Sequence, residues 1–326
     1  MTSDNKIPTR HRPIFDGLAT IEEKMAAAMI EYDDMKEAGE EDGLDFSNKT
    51  SMWIAFERWL ESERPDRLFN DPLAQHLHDP YGQRLSDAMS LGLSFSVFDD
   101  MEGSIGFGLE GHVMYTAART KLINDYLAEW IAKYADCELG CQVVNLGAGL
   151  DTRQYWLECL KKAKVYWEVD TASVMEYKEK TLGRLKINGN LPDVLVQTKS
   201  IAIDFSKESL TELTSSRYQF DSTIPTGWIL EGLVMYLKKS AVEELFENLS
   251  ALSASHSYLI LNFSTNTSAQ GPDACPSIES ISEQLAGHGW KKDAHLMFGQ
   301  EGFNFNRYPE GKPANKILGF AMYVKE

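Results

Sequence analysis

Hydrophobic positions along the chain follow two different periods, and the change between them organises the molecule. Residues 21–35 show helical spacing, with Met25, Met29 and Ile30 on one side. The helical period returns over residues 50–60 through Met52, Ile54, Ala55, Phe56 and Trp59, and a further helix starts at 73–77 after the turn at Asp71 and Pro72. Beyond Glu110, short apolar runs near Val143, Val165, Val194, Trp228 and Leu259 alternate with helical stretches at 115–134 and near Val174, Val242 and Ile281. This alternation predicts an α/β fold with a parallel sheet and right-handed crossovers. The tail from residue 288 differs. Apolar runs at 294–298 and 318–324 flank a loop rich in Gly, Pro and Asn, which predicts an antiparallel hairpin at the sheet edge. Residues up to about 48 read as a peripheral arm, with Glu37, Glu40, Glu41 and Asp42 as a solvated face or disordered link. The segment 89–108 mixes Met, Leu, Phe and Val with Gly and Ser. It fits ordinary packing between cap helices and the flexible wall of an apolar pocket equally well.

One strand end carries candidate chemistry. The run Val143, Val144, Leu146 breaks at Gly147 and Gly149, and a helix is expected to follow, with Asp151 as its cap and Gln154 completing a capping box. Glycine tolerates backbone angles that other residues avoid and lets a ligand approach the main chain. The next apolar run ends in Glu168, Val169 and Asp170. A glycine turn after one strand and an acid at the tip of the next is how a doubly wound sheet holds a nucleoside, with the carboxylate accepting bonds from ribose hydroxyls. Thr152 stands where the third glycine of a dinucleotide fingerprint would be. That disfavours NAD and FAD and leaves nucleosides without a pyrophosphate, of which S-adenosylmethionine (SAM) is the commonest.

Several ordered segments together carry a family resemblance. Asn145-Leu146-Gly147-Ala148-Gly149-Leu150-Asp151-Thr152-Arg153 resembles the leucine carboxyl methyltransferases, as do Ala118-Arg119-Thr120, Glu168-Val169-Asp170 and Glu231-Gly232-Leu233-Val234-Met235-Tyr236-Leu237. Residues 63–74, from Glu63-Arg64-Pro65-Asp66 to Leu73-Ala74, look like the signature of the branch linked to O-methylation of polyketides and other small molecules. The resemblance runs from about residue 50 to the C-terminus. It implies a class I SAM-dependent methyltransferase fold: a Rossmann-like, mostly parallel seven-stranded sheet with an antiparallel C-terminal hairpin and an N-terminal helical cap. It divides the chain into an arm and cap over residues 1–110 and a methyltransferase domain over 111–326. It also implies that Arg119 grips the cofactor's carboxylate, that Asp204 and Phe205 take the adenine, and that Glu231 lies beside the methionine part. Asp204 as a plain helix cap is the competing reading. Tyr236 is expected to orient the acceptor and Arg307, with Tyr308 and Pro309, to line the substrate mouth.

Composition narrows the partners. The 326 residues carry a net charge of −17 and are 43% hydrophobic, enough for a sizeable core. Such an acidic surface repels phosphate backbones and counts against nucleic acid. No apolar run has membrane-spanning length, the first six residues lack the apolar core of a signal peptide, and four cysteines without a Cys-x-x-Cys pair suggest reduced thiols in the cytoplasm and no metal. His76 and His78 lack a carboxylate at ligand spacing and read as surface residues. Three functions are open. One is SAM-dependent O-methylation of a carboxyl or hydroxyl group on a small apolar metabolite. Another is methylation of the C-terminal leucine of a type 2A protein phosphatase, and the last is a non-catalytic nucleoside-binding module. His112, Tyr115 and His288 are candidate bases, none standing out, so a carboxylate acceptor and a rate nearly flat with pH are expected.

Overall fold

The computed structural model describes residues 10–37, 46–93, 108–265 and 275–326. The acidic run at 40–42 and most of the 89–108 segment lie outside them. Helices α1 (Ile21–Glu37), α2 (Phe46–Ser62), α3 (Ala74–Leu77) and α4 (Asp79–Leu93) come first, and α5 (Gly111–Tyr134) leads into the sheet. Then follow β1 (Gln142–Leu146), α6 (Arg153–Trp156), β2 (Tyr166–Asp170), α7 (Ala172–Ile187), β3 (Thr198–Ala202), β4 (Thr226–Leu230), α8 (Lys239–Ala251) and β5 (Tyr258–Ser264). Helix α9 (Ile278–Gly287) and the strands β6 (Trp290–Met297) and β7 (Leu318–Lys325) end the chain. Among the described residues no helix is long and apolar enough to cross a membrane.

The seven strands lie in the order β3-β2-β1-β4-β5-β7-β6. β1 pairs in parallel with β2 on one side and β4 on the other, so the strand order reverses beside β1. β7 runs antiparallel to both β5 and β6, which is the expected C-terminal hairpin. Strand side chains alternate between faces, and the two faces have separate cores. Val144, Leu146, Trp228 and Leu230 pack under α8 and α9. Val143, Tyr166, Ile229 and Ile260 pack under the long α5. Strands β1, β4 and β5 are covered on both faces, which explains their continuous apolar runs.

Three expectations need correction. The strand expected near Val194 begins only at Thr198; Val194 is exposed, and the Leu195 N–H donates to the Gln154 carbonyl. The strand expected at 294–298 starts earlier, at Trp290. The capping box at Asp151 and Gln154 does not form. α6 is a single turn whose N-cap is Thr152, because the Asp151 carboxylate is turned inward to Asn145 and Arg153.

The helices before the sheet close over its carboxyl edge. Met52, Ala55, Leu73 and Leu77 share a core with Leu150 and Val174. Polar bonds add to this packing: Arg58 Nη2 donates to the Leu150 carbonyl at 2.5 Å, and Thr152 Oγ1 donates to Asp71 Oδ1 at 2.6 Å.

Candidate active site

The carboxyl ends of β1 to β5 open into one cavity of about 690 Å³, within the usual size range for a small-molecule site. Gly147 and Gly149 form its floor with φ of 67° and 50°, angles that a residue with a Cβ rarely adopts. A Cβ on Gly147 would come within 3.1 Å of Leu233, and one on Gly149 within 3.3 Å of Ser51. The turn is held from the next strand. Asp170, the last residue of β2, accepts the Gly149 N–H on Oδ2 and the Thr171 N–H on Oδ1, each at 2.7 Å. Burial raises the Asp170 pKa, and these two N–H groups oppose the shift. The Thr171 side chain adds a further hydrogen bond to the same carboxylate.

Asp204 and Phe205 follow β3 and line the same cavity. Asp204 caps its own turn, accepting the Ser206 N–H at 3.0 Å, and pairs with Lys207 at 2.6 Å. These bonds from Lys207 and Ser206 hold its pKa below the usual carboxylate range. No helix starts at Asp204, so the helix-cap reading does not hold; the carboxylate closes a turn and lines the cavity.

Glu231 follows β4 directly. Its Oε1 accepts Arg119 Nε at 2.8 Å and its Oε2 accepts Arg153 Nη1 at 2.9 Å. Arg153 also pairs with Asp151, and its Nε donates to Asn124 Oδ1. Burial would raise the Glu231 pKa, but Arg153 and Arg119 outweigh it and the carboxyl sits below its ordinary value. The sequence resemblance brought Arg119 and Glu231 to one site; that they pair with each other, with Arg153 behind them, was not foreseen. A guanidinium fork between two acids reads in sequence as any helical Arg.

Tyr236 lies on the cavity wall, 57% exposed. Arg307 does not line the cavity, which corrects the expectation of a substrate-mouth residue. It is 1% exposed and grips Glu61 through Nε at 3.1 Å and Nη2 at 2.7 Å, with Nη1 on Asp66 at 3.2 Å. Its guanidinium is used up in fastening the C-terminal loop to the end of α2 and the turn after it. His288 follows α9 and does not line the cavity either, so it is no candidate base. His78 is stacked at 5.1 Å on Trp59 rather than lying on the surface as a polar residue.

His112 and Tyr115 do line the cavity. Burial raises the Tyr115 pKa, so its phenol stays protonated near neutral pH. His112 is backed by Glu57, a residue the sequence reading passed over. The signal for it was a carboxylate within the apolar helical run of residues 52–59, where a charge needs a partner.

Known proteins resemble the chain over most of its length. The profile of the leucine carboxyl methyltransferases matches residues 51–250. A Mycobacterium tuberculosis protein (strain ATCC 25618 / H37Rv), provisionally named an S-adenosyl-L-methionine-dependent methyltransferase, is 35% identical over 217 residues, 66% of this chain and 64% of its own. The chain thus spans about 64% of the length of the mycobacterial relatives it matches. A Streptomyces avermitilis protein with the same provisional name is 30% identical over 266 residues, covering 76% of this chain and 84% of its own. A solved structure from Thermobifida fusca, provisionally titled a methyltransferase, covers 84% of this chain and 94% of its own at 14% identity and a TM-score of 0.48. By the matched profile and the Streptomyces relative, the chain belongs to the leucine carboxyl methyltransferase family.

Proposed function

We propose that this protein transfers the methyl group of SAM to an oxygen of a small, largely apolar molecule. The observation that carries the reading is the convergence of Gly147, Gly149, Asp170, Asp204, Arg119 and Glu231 on one cavity at the strand carboxyl ends, beside the reversal of strand order. SAM has three polar parts, and this donor set fits each. Asp170 offers lone pairs to the ribose diol. Asp204 accepts from the adenine amino group while Phe205 covers the ring. Arg119 and Glu231 present opposite charges side by side, which suits a zwitterionic amino-acid head. Arg119 reaches Glu231 through Nε, one of the five N–H donors of a planar fork suited to carboxylates.

The acceptor side is built from the cap. Trp53, Ile54, Met89, Met235 and Tyr236 give the cavity an apolar wall, with Tyr236 placed to orient the acceptor. The net charge of −17 disfavours nucleic acid. We place the protein in the cytoplasm on the same sequence grounds as above. Family membership also keeps the phosphatase C-terminal leucine in view as an acceptor. The two are separated by incubating the protein with methyl-tritiated SAM and either a host metabolite extract or a peptide with the phosphatase C-terminal leucine. Label in organic-soluble small molecules supports the proposal. Label in the peptide alone contradicts it.

A further inference from the structure

We propose that His112, oriented by Glu57, is the general base of this site, and that the acceptor therefore presents a hydroxyl rather than a carboxylate. The inference rests on the reading that the cavity binds SAM. Glu57 lies on α2 with no exposed surface. Its Oε2 is 2.7 Å from His112 Nδ1 and accepts Thr116 Oγ1 at 2.5 Å, while its Oε1 accepts Trp53 Nε1 at 2.5 Å. An ionised carboxylate only accepts, so the hydrogen is assigned to Nδ1 and the ring's lone pair to Nε2. Nε2 has no hydrogen-bond partner among the described residues, and the ring lines the cavity. Trp53 fixes the ring plane, 4.2 Å away between centroids and tilted by 32°.

A buried carboxylate behind a histidine whose ring lines a ligand cavity is the arrangement that fixes tautomer and orientation in a proton acceptor. Burial would raise the Glu57 pKa, but the imidazole and the bonds from Thr116 and Trp53 outweigh it and keep the carboxyl ionised. A carboxylate acceptor is already ionised near neutral pH and has no use for a base, whereas a phenol with a pKa near 10 does. The hydroxyl proton passes to Nε2 and later, from the imidazolium, to water. Bound SAM supplies an electrophilic methyl carbon: the acceptor oxygen bonds to it as the carbon–sulfur bond breaks, and sulfur keeps the electron pair. The other charged or titratable groups near the imidazole are Tyr115 and Arg119 on its own helix, with Glu231 beyond Arg119. Glu110 at the head of that helix is tied to Arg10 and Arg12. From α4, Ser86 reaches Glu57, and Asp87 pairs with Arg10.

Two measurements test this. Nitrogen-15 histidine spectra of the protein with S-adenosylhomocysteine should show His112 protonated on Nδ1 when neutral. Glu57→Gln should weaken that preference, because an amide can donate to Nδ1 as well as accept from it. Methyl transfer from tritiated SAM is then followed to 2-naphthol and to 2-naphthoic acid. Transfer to naphthol should rise with pH and level off, as general-base catalysis requires. It should fall about 100-fold or more in His112→Gln, with SAM affinity by calorimetry unchanged. The Glu57→Gln spectra decide the matter if His112→Gln does not fold. An Nε2-protonated tautomer, a tautomer preference unchanged in Glu57→Gln, a His112→Gln variant as active as the parent, or transfer to naphthoate or to neither probe by a protein that binds SAM would overturn the inference. A parent protein that binds no SAM would instead overturn the proposed function.

Discussion

Thr152 Oγ1 donates to Asp71 Oδ1 at 2.6 Å, joining two segments 81 residues apart in sequence. Asp71 is a hub. The same oxygen accepts the Leu73 and Ala74 N–H groups at 3.2 Å, and its other oxygen accepts Arg58 Nε at 3.1 Å. Arg58 in turn holds the Leu150 carbonyl next to the glycine turn. The cap is thus fastened to the residues that shape the cavity floor.

Asp71→Asn should destabilise the fold by about 3 kcal/mol or more, because it leaves the buried Arg58 guanidinium without its counter-charge. Thr152→Ala should cost less, about 1–3 kcal/mol, the worth of one hydrogen bond to a charged acceptor, since Asp71 Oδ1 keeps the Leu73 and Ala74 N–H groups. Urea unfolding of both variants checks the order. Equal, negligible losses would show that the hub carries no stability.

Arg307→Ala should destabilise the protein by about 3 kcal/mol, since the buried Glu61 loses its two-pronged partner and keeps only Arg64 at 3.6 Å and the Leu68 N–H. SAM affinity of the folded variant should be unchanged, because Arg307 does not line the cavity. Calorimetry under stabilising conditions separates the two effects.

Arg119→Lys should weaken SAM binding, because Lys lacks the forked geometry for a carboxylate. Affinity equal to the parent's would remove the two-pronged contact from the account.

Stability should fall in acid. Burial raises the pKa of Glu57, Asp151 and Glu231, but it is outweighed at Glu57 chiefly by His112, at Asp151 by Arg153 and at Glu231 by Arg153 and Arg119, so all three lie below their ordinary values. Groups with a depressed folded pKa add stability above their unfolded values, near 4, and lose it as pH falls through the folded ones. Asp170 has the opposite sign: its raised pKa adds stability below its unfolded value and loses it as pH rises through the folded one. Thermal melts from pH 7 to pH 3 should show the acid loss, and Glu57→Gln should flatten part of it.

Periodicity made the sheet and its hairpin legible in sequence, and the glycine turn pointed to Gly147, Gly149 and Asp170; Asp204 and Glu231 came from the family resemblance, and all meet because strand ends in a parallel sheet meet by topology. What they could not show is which charges face each other. Thr152 reads in sequence as a glycine that is missing, yet it is the buried donor to Asp71. Arg307 reads as a surface cation near the substrate, yet Glu61 takes its fork. Glu57 and His112 are 55 residues apart, and only the packing of α2 on α5 brings them together. Asp170 was expected to wait for a ribose; it also holds the glycine turn by the Gly149 N–H.

Isothermal titration of the protein with SAM, beside Asp170→Ala, tests the central claim most directly. The account predicts one SAM bound per chain, with affinity lower by about 1–3 kcal/mol in the variant, from loss of a charged hydrogen-bond acceptor. No binding to the parent, or equal affinity in the folded variant, would contradict it.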